Sequence, residues 1–206
     1  MKSKLEWIFI TMGKIKEGKL IYHLTKIENL DSILENGLLC RSLVSSDLFN
    51  VNFFDDVADP AIIEKRNKLR DYVPFHFHPY SSFDNAVKHE HGAENFVYIT
   101  ILRKRARELN FNILPCHPLS LGSYDEIHSY DEGFSCIDWK AMETPLNGLD
   151  EKKTQYVKQV KMAECLAYGR VSVEDFYFIY CHESKLPDLR TKYGSSFKFT
   201  RGYWFS

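Results

Sequence analysis

Residues 159–168, Gln-Val-Lys-Met-Ala-Glu-Cys-Leu-Ala-Tyr, decide how the rest of the chain is interpreted. Most of these side chains are apolar or small, and Glu164 lies among them. Such a run predicts a strand or a short helical turn that buries one face. Burying a carboxylate without a partner is costly, so Glu164 either faces water on an amphipathic element or is held in place for a chemical purpose. This stretch alone leaves both interpretations open.

The composition predicts one folded domain. The chain has 206 residues, of which 44% are hydrophobic and 15% aromatic, and this is enough for one sizeable core. We therefore expect a single domain that spans residues 1–206. The formal net charge of −1 excludes a uniformly basic protein, so any surface for nucleic acid must be local. Two basic runs, residues 65–70 and 103–107, are either such a surface or solvated helix faces.

The cysteines and histidines indicate neither a disulfide scaffold nor a metal centre. The five cysteines are scattered, and none belongs to a Cys-x-x-Cys pair, which is typical of a reducing compartment. Two His-x-His pairs, at residues 76–78 and 89–91, are more typical of one strand face or a loop than of a metal site. The apolar run near the N-terminus is too short for a signal peptide, and no stretch approaches a membrane span. We expect a soluble cytoplasmic protein without a metal or a membrane partner.

Periodicity predicts a mixed, mainly antiparallel α+β domain with helices near its N-terminal half. Leu30, Ile33 and Leu34 have helical spacing, with Asn29 or Thr25 as the cap and Gly37 as the end. Residues 80–95 are polar and predict a loop over an opening. Further helices are predicted at residues 61–69, 104–109, around 138–139 and at 152–161. Strands are predicted at residues 5–11, 21–25, 71–77, 96–102, 111–114, 176–180 and 197–205, with Pro74 indicating an edge strand or a bulge.

Four separate stretches resemble one family, the DarT-type ADP-ribosyltransferases. Residues 22–39 resemble the opening of that family, and residues 62–67, Ile-Ile-Glu-Lys-Arg-Asn, its next motif. Residues 71–77, Asp-Tyr-Val-Pro-Phe-His-Phe, are similar to the family's D-Y-V-P-F-Y-F strand. Residues 161–166, Lys-Met-Ala-Glu-Cys-Leu, resemble its K-x-A-E-x-L motif, which carries the catalytic glutamate. The four stretches occur in the family's order.

The resemblance implies an ADP-ribosyltransferase-like fold with an NAD cleft and a specific chemistry. Members of the family cleave NAD at the nicotinamide bond and place ADP-ribose on a nucleic-acid base, in the best-known cases in single-stranded DNA. They are toxins, usually encoded with an antitoxin, which is often a macrodomain that removes the mark. We therefore expect NAD as a co-substrate and two partners, a single-stranded nucleic acid and a cognate antitoxin, either a macrodomain or a direct-binding inhibitor.

The resemblance also assigns roles to individual residues. Glu164 matches the catalytic glutamate, and a carboxylate beside the ribose stabilises developing positive charge. Arg66 matches the active-site arginine, whose guanidinium suits a pyrophosphate or polarises the attacking base. The positions that contact NAD in the family correspond here to His23, Leu24, Thr25, Ser32 and Cys40.

The target strand is expected to cross residues 80–95 and 115–130, where Tyr80, His117 and Tyr124 are candidate contacts. Aromatic rings stack on unpaired bases, and basic side chains neutralise phosphates. DNA is the favoured target, and RNA stays open. Two other hypotheses also stay open. The chain could be a transferase that uses the same NAD site to modify a protein, or a catalytically silent module that binds NAD or nucleic acid.

Overall fold

A large, mainly antiparallel sheet forms the centre of the computed structural model, which describes residues 14–44, 69–117 and 126–205. The described strands are β1 Leu20–Lys26, β2 Leu38–Leu39, β3 Tyr72–His76, β4 Phe96–Leu102, β5 Asn112–Leu114, β6 Glu164–Tyr168, β7 Arg170–Val171, β8 Ile179–Cys181 and β9 Phe199–Arg201. The described α-helices are α1 Leu30–Asn36, α2 Arg41–Val44, α3 Ser82–His91, α4 Arg103–Glu108, α5 Tyr130–Cys136, α6 Trp139–Glu143, α7 Glu151–Val160 and α8 Leu186–Tyr193. Short 3-10 helices lie at Ile15–Glu17, Ile27–Asn29, Ala93–Asn95, Val173–Asp175, Glu183–Lys185 and Tyr203–Phe205.

Seven of the described strands form the main sheet in the order β5-β6-β3-β1-β4-β8-β9. Neighbouring strands run antiparallel, except β8 and β9, which are parallel. β2 and β7 pair separately as a small antiparallel sheet. The predicted α+β class and its mainly antiparallel sheet are therefore confirmed. Helices were predicted near the N-terminal half, but of the eight described α-helices three lie in that half, and the other five lie from Arg103 onward.

The main sheet opens between its two central strands. β1 is in register with β4 along its whole length, and β3 is in register with β6 along five residues. Between β1 and β3, by contrast, one registered pair joins the strands, Tyr22 with His76. Beyond that pair the two strands diverge, so the sheet splits on the side where β1 ends and β3 begins. The split places a cleft inside the sheet.

Pro74 lies beside this split. The sequence predicted an edge strand or a bulge, yet β3 is an interior strand between β6 and β1. The carbonyl oxygen of Pro74 accepts a hydrogen bond from Nδ1 of the His23 ring at 2.8 Å, so this side of Pro74 faces β1. Because β1 has already diverged here, the N–H that proline lacks would have had no ladder partner. On this side Pro74 therefore resembles a residue of an edge strand, where proline is tolerated.

Helix α1 has the predicted boundaries. Leu30 and Ile33 are buried, and Gly37 ends the helix with φ +83°, a backbone conformation that favours glycine. The predicted cap differs in detail. Asn29 occupies the N-cap position but makes no capping bond, and its side-chain amide N–H donates to the Thr25 hydroxyl at 3.2 Å.

Residues 80–95 are not the loop that their polarity predicted. Ser81 accepts a hydrogen bond from the Asp84 backbone N–H at 3.1 Å and caps α3. The helix buries Val87 together with two polar residues, Asp84 and Lys88. Tyr98 donates to Asp84, and Lys88 donates to backbone carbonyls, so these polar groups are satisfied through tertiary contacts that periodicity does not reveal.

The remaining predictions differ in how well their boundaries agree with the structure. β4 has the predicted boundaries, and α4 and α7 lie within a residue of theirs. The C-terminal strands β8 and β9 are shorter than predicted, and residues 203–205 form a 3-10 helix. The predicted strand at residues 5–11 and all but the last residue of the predicted helix at 61–69 lie outside the described residues. No helix in the described part of the chain is long and apolar enough to cross a membrane.

Candidate active site

A pocket of about 250 Å³ lies where the sheet splits. β1 and β3 form its two sides, the start of β6 contributes at the back, and the chain from Asn29 to Val44 covers it. α3 adds one side chain. The residues on the wall are His23, Leu24, Thr25, Asn29, Ser32, Ile33, Gly37, Leu38, Leu39, Cys40, Arg41, Val44, Leu69, Arg70, Tyr72, Val73, Pro74, Phe83, Glu164 and Leu166.

Glu164 is the first residue of β6 and is 4% exposed. It lies opposite His76 on β3 and opposite Leu114 on β5, so it stands between two strands inside the sheet. Its carboxylate makes no hydrogen bond or ion pair with any residue that the structure describes. A buried carboxylate without a protein partner is destabilising, and one that opens onto a pocket is typical of a functional group.

His23 stands on the β1 side of the same pocket. Its Nδ1–H must be the donor to the Pro74 carbonyl, because a carbonyl oxygen only accepts. This fixes the tautomer and leaves Nε2 with a free lone pair as an acceptor. The ring is tilted against Phe75, with the ring centres 5.6 Å apart. Burial lowers the pKa of His23, and the hydrogen bond to Pro74 opposes this shift, so the imidazole is neutral near pH 7.

Thr25 and Asn29 form a buried polar pair beside His23. Both are almost fully buried, at 5% and 6% exposure. Because the Thr25 oxygen accepts from the Asn29 amide, its hydroxyl proton remains available to a ligand or to a backbone carbonyl. Leu24 lies between His23 and Thr25 in sequence and also lines the pocket.

Ser32 and Cys40 lie on the covering segment, and both line the pocket. The Cys40 backbone N–H donates to the carbonyl of Gly169 at 2.7 Å, and its Sγ lies 3.2 Å from the Ser42 hydroxyl. The covering segment is thus tied to the turn that follows β6. Glu164, His23, Leu24, Thr25, Ser32 and Cys40, all predicted from the sequence, therefore share one pocket.

Other predicted residues are not on this wall. Tyr80 is stacked on His78, with ring centres 4.5 Å apart, and burial raises its pKa to about 12. His117 follows β5, and its backbone N–H donates to the Gln159 carbonyl at 2.9 Å. Neither residue lines the pocket. Arg66 and Tyr124 lie outside the described residues.

Of the other residues on the wall, four have charged or aromatic side chains and were not among the predicted site residues: Arg41, Arg70, Tyr72 and Phe83. Arg70 and Tyr72 flank Asp71 at the start of the D-Y-V-P stretch, and this adjacency was the available sequence signal. Phe83 lies in residues 80–95, which were expected to meet the target strand and not to line this pocket. Within residues 14–44, 69–117 and 126–205, no three His, Cys, Asp or Glu side chains are grouped closely enough to hold a metal ion.

Comparison with known proteins shows similarity to a family of DNA ADP-ribosyltransferases. A model of the family described as "DarT: ssDNA thymidine ADP-ribosyltransferase, DarT" matches residues 22–192. A relative from Escherichia coli O127:H6 (strain E2348/69 / EPEC), named "DNA ADP-ribosyl transferase", is 27% identical over 143 residues. That match covers 64% of this chain and 59% of the relative, so the chain spans less than two thirds of that protein's length.

Solved structures share the fold. DarTG of Thermosipho africanus, in complex with ADP-ribose, has a TM-score of 0.71 at 17% identity, covering 91% of this chain and 51% of its own. DarT of Thermus sp. 2.9 has a TM-score of 0.67 at 21% identity in complex with ADP-ribosylated ssDNA, covering 92% and 96%. The same protein in complex with NAD+ has a TM-score of 0.66 at 20% identity, covering 92% and 98%. The family match over residues 22–192, on a sheet that splits around Glu164 and His23, shows that this chain belongs to the DarT family.

Proposed function

We propose that this chain is an enzyme that transfers ADP-ribose from NAD to a base of single-stranded DNA, and that residues 1–206 act as one domain. The observation that carries the proposal is the position of Glu164. In a member of the DarT family, this buried carboxylate has no partner among the described residues and shares a pocket with His23. The Thermus sp. relative in complex with NAD+ and with ADP-ribosylated ssDNA supports both substrates.

The proposed reaction replaces one C–N bond with another. The bond between ribose and nicotinamide breaks, and its electron pair leaves with nicotinamide, so the ribose gains oxocarbenium character. The Glu164 carboxylate stabilises this positive charge and holds a ribose hydroxyl. A ring nitrogen of the base then bonds to the ribose carbon and loses its proton, for which the same carboxylate is an acceptor.

The remaining wall residues bind and orient NAD in this proposal. His23 is neutral, and its Nε2 offers a directional acceptor, while Thr25 offers a hydroxyl proton. Leu24, Ser32 and Cys40 contribute through the backbone and through shape. Arg66 is proposed to bind the pyrophosphate or polarise the base. Tyr80, His117 and Tyr124 are proposed to contact the target strand.

Labelled NAD identifies the acceptor. The purified chain is incubated with NAD labelled in its adenylate half and with separate pools of single-stranded DNA, RNA and protein. Label is expected on DNA, and among strands with a single type of base it is expected on thymidine, the nucleoside that the family description names. Label on RNA or protein alone would refute the proposal, and no label on any pool would favour a silent binding module.

Glu164→Gln keeps the shape of the side chain and removes its charge. Because the carboxylate is proposed to stabilise the transition state, we expect transfer to fall about 100-fold or more. Glu151→Ala, at an exposed position in the first turn of α7, is the control and is expected to keep wild-type activity. Thermal unfolding checks that both variants fold. Full activity in a folded Glu164→Gln variant would contradict the assigned role.

We further propose that the chain is the toxin of a toxin–antitoxin pair, with a macrodomain or a direct-binding inhibitor as its partner. Modified bases obstruct replication, so expression of the wild-type chain in bacteria should arrest growth. Glu164→Gln should relieve the arrest at equal protein level. Arrest that persists in this variant would separate toxicity from the transfer reaction.

A further inference from the structure

An exposed tyrosine lies just outside the pocket. Tyr168, the last residue of β6, is 72% exposed. It shares a sheet face with Glu164 because alternate residues of a strand point the same way, and it lies ~13 Å along the strand from Glu164. Its ring meets Tyr72 edge to face, with the ring centres 5.5 Å apart, and Tyr72 lines the pocket. The two rings therefore extend the pocket wall outward onto the surface.

The backbone under Tyr168 is fixed from three sides. Tyr168 is in register with Tyr72 of β3. The next residue, Gly169, donates its N–H to the Asp71 carbonyl at 2.7 Å and accepts the Cys40 N–H at 2.7 Å. Arg170 then pairs with Leu39 in the small sheet. An exposed ring on a backbone held this firmly loses little conformational freedom when it binds a flat partner.

Three arginines lie in the backbone segments that meet around the two rings. Arg41 and Arg70 line the pocket with Tyr72, and Arg170 follows Tyr168 by two residues and packs over Gly37. Neither Arg70 nor Arg170 forms an ion pair with a residue in the described part of the chain. Asp71 is the one acidic residue in the backbone segments that meet here, residues 39–42, 69–72 and 168–170. The surface is therefore basic in a protein whose net charge is −1.

We propose that Tyr72, Tyr168, Arg70 and Arg170 bind a nucleotide that flanks the reacting base of the target strand. The base stacks on Tyr168, and its phosphates contact Arg70 and Arg170. Tyr168 lies outside the pocket wall, and its distance from Glu164 suits a neighbour of the reacting base better than that base itself. This inference rests on the proposed transfer to single-stranded DNA.

Transfer kinetics test this surface. With labelled NAD and a single-stranded oligonucleotide, we expect Tyr168→Ala to raise the KM for the strand about 5- to 20-fold, because a base loses its stacking partner. Tyr168→Phe keeps the ring and should remain within about twofold of wild type. Arg170→Gln should reduce the slope of log(kcat/KM) against log salt by about 0.7, which corresponds to one phosphate contact on a single strand.

Tyr203 and Arg201 provide matched controls on another surface. Tyr203 is 68% exposed, and its ring lies 4.8 Å from the Arg201 guanidinium, which is also paired with Glu183. Neither Tyr203 nor Arg201 lines the pocket. Tyr203→Ala and Arg201→Gln should leave the KM for the strand and the salt slope unchanged.

The outcomes separate this inference from the proposed function. An active wild type with an unchanged strand KM in Tyr168→Ala would overturn the inference alone. A KM for NAD that rises in parallel with the KM for the strand would also overturn it, because the rings would then belong to the NAD site. A wild-type chain that transfers nothing to DNA would overturn both.

Discussion

His78 is 2% exposed, and both of its ring nitrogens are buried. Burial, together with His76 and Lys161 nearby, lowers its pKa from 6.5 to about 3, and the Lys161 backbone opposes this shift only in part. The unfolded chain therefore binds more protons than the folded chain between pH 6.5 and pH 3, so stability falls as the pH falls through that window. At pH 5 this one group accounts for a loss of about 2 kcal/mol relative to neutral pH.

Urea unfolding at several pH values tests this effect. His78→Phe keeps the stack on Tyr80 and removes the titrating group, so its unfolding free energy should fall about 2 kcal/mol less than that of the wild type between pH 7 and pH 5. His89→Phe, at an exposed position on α3, is the control and should follow the wild-type curve. Parallel curves for wild type and His78→Phe would contradict the lowered pKa.

The contrast between Glu164 and His78 shows what a sequence reveals about single residues. Glu164 was predicted because an acidic residue in an apolar run is unusual and because its neighbours match a family motif. His78 and Tyr168 carry no such signal. The burial of His78 and the exposure of Tyr168 depend on strands and helices that come from distant parts of the chain. The sequence next to His78 or Tyr168 does not determine whether its side chain is buried or exposed.

At the scale of elements, Gly37 determines the direction in which the chain leaves α1 toward β2. Its φ is +83°, and a Cβ atom there would lie 2.6 Å from Nε of Arg170 and 2.7 Å from the Val171 carbonyl oxygen. Gly148 has a similar φ, +79°, but nothing lies within 4 Å of its Cβ position. Both positions favour glycine, but only Gly37 combines a positive φ with close contact to backbone.

Alanine substitutions at these two glycines therefore distinguish the cost of a positive φ from the cost of a steric clash. Gly148→Ala should cost about 1 kcal/mol of unfolding free energy through φ alone. Gly37→Ala should cost at least about 1 kcal/mol more, because β2 must move away from β7. It should also weaken NAD binding, since Leu38, Leu39 and Cys40 line the pocket. If Gly37→Ala and Gly148→Ala lost the same unfolding free energy in urea, the close contacts around Gly37 would contribute nothing to the cost.

Elements were predictable where one residue pattern decided them. α1 and β4 follow from apolar periodicity and from a terminating glycine, and both have their predicted boundaries. α3 was missed because its buried face includes Asp84 and Lys88, which are satisfied by Tyr98 and by backbone carbonyls outside the helix. Pro74 correctly indicated a backbone side without a ladder partner, but the strand that contains it is an interior strand. The split of the sheet leaves that side of the strand unpaired.

At the scale of the whole molecule, the sequence predicted the fold class and six of the residues on the pocket wall, but not how the pocket is closed. Family motifs placed His23 and Glu164 in one site although 140 residues separate them. The arrangement of the covering segment, β7 and the turn at Gly169 comes from backbone hydrogen bonds between three distant stretches. Such bonds are available to any sequence, so side-chain patterns do not predict them.

Because the pocket is built from distant stretches of the chain, ligand binding tests whether those stretches form one site. Carba-NAD+, the ligand of another Thermus sp. 2.9 DarT complex, is a suitable probe for the proposed NAD site. A ligand that binds only the folded chain at 100 times its Kd adds about 2.7 kcal/mol of stability, or roughly 5–10 °C in Tm for a chain of this size. We expect this rise in the wild type, because the ligand would connect β1, the covering segment and β6.

His23→Ala should lose most of the rise in Tm, because it removes both the acceptor Nε2 and the bond that joins β1 to Pro74 across the split. Tyr203→Ala, at an exposed position that does not line the pocket, should keep the full shift. A His23→Ala variant with a lower Tm but an undiminished rise on adding carba-NAD+ would show that His23 stabilises the sheet without contacting the ligand. The absence of any shift in the wild type would show that the folded chain does not bind carba-NAD+ at this concentration, and would contradict the proposed NAD site.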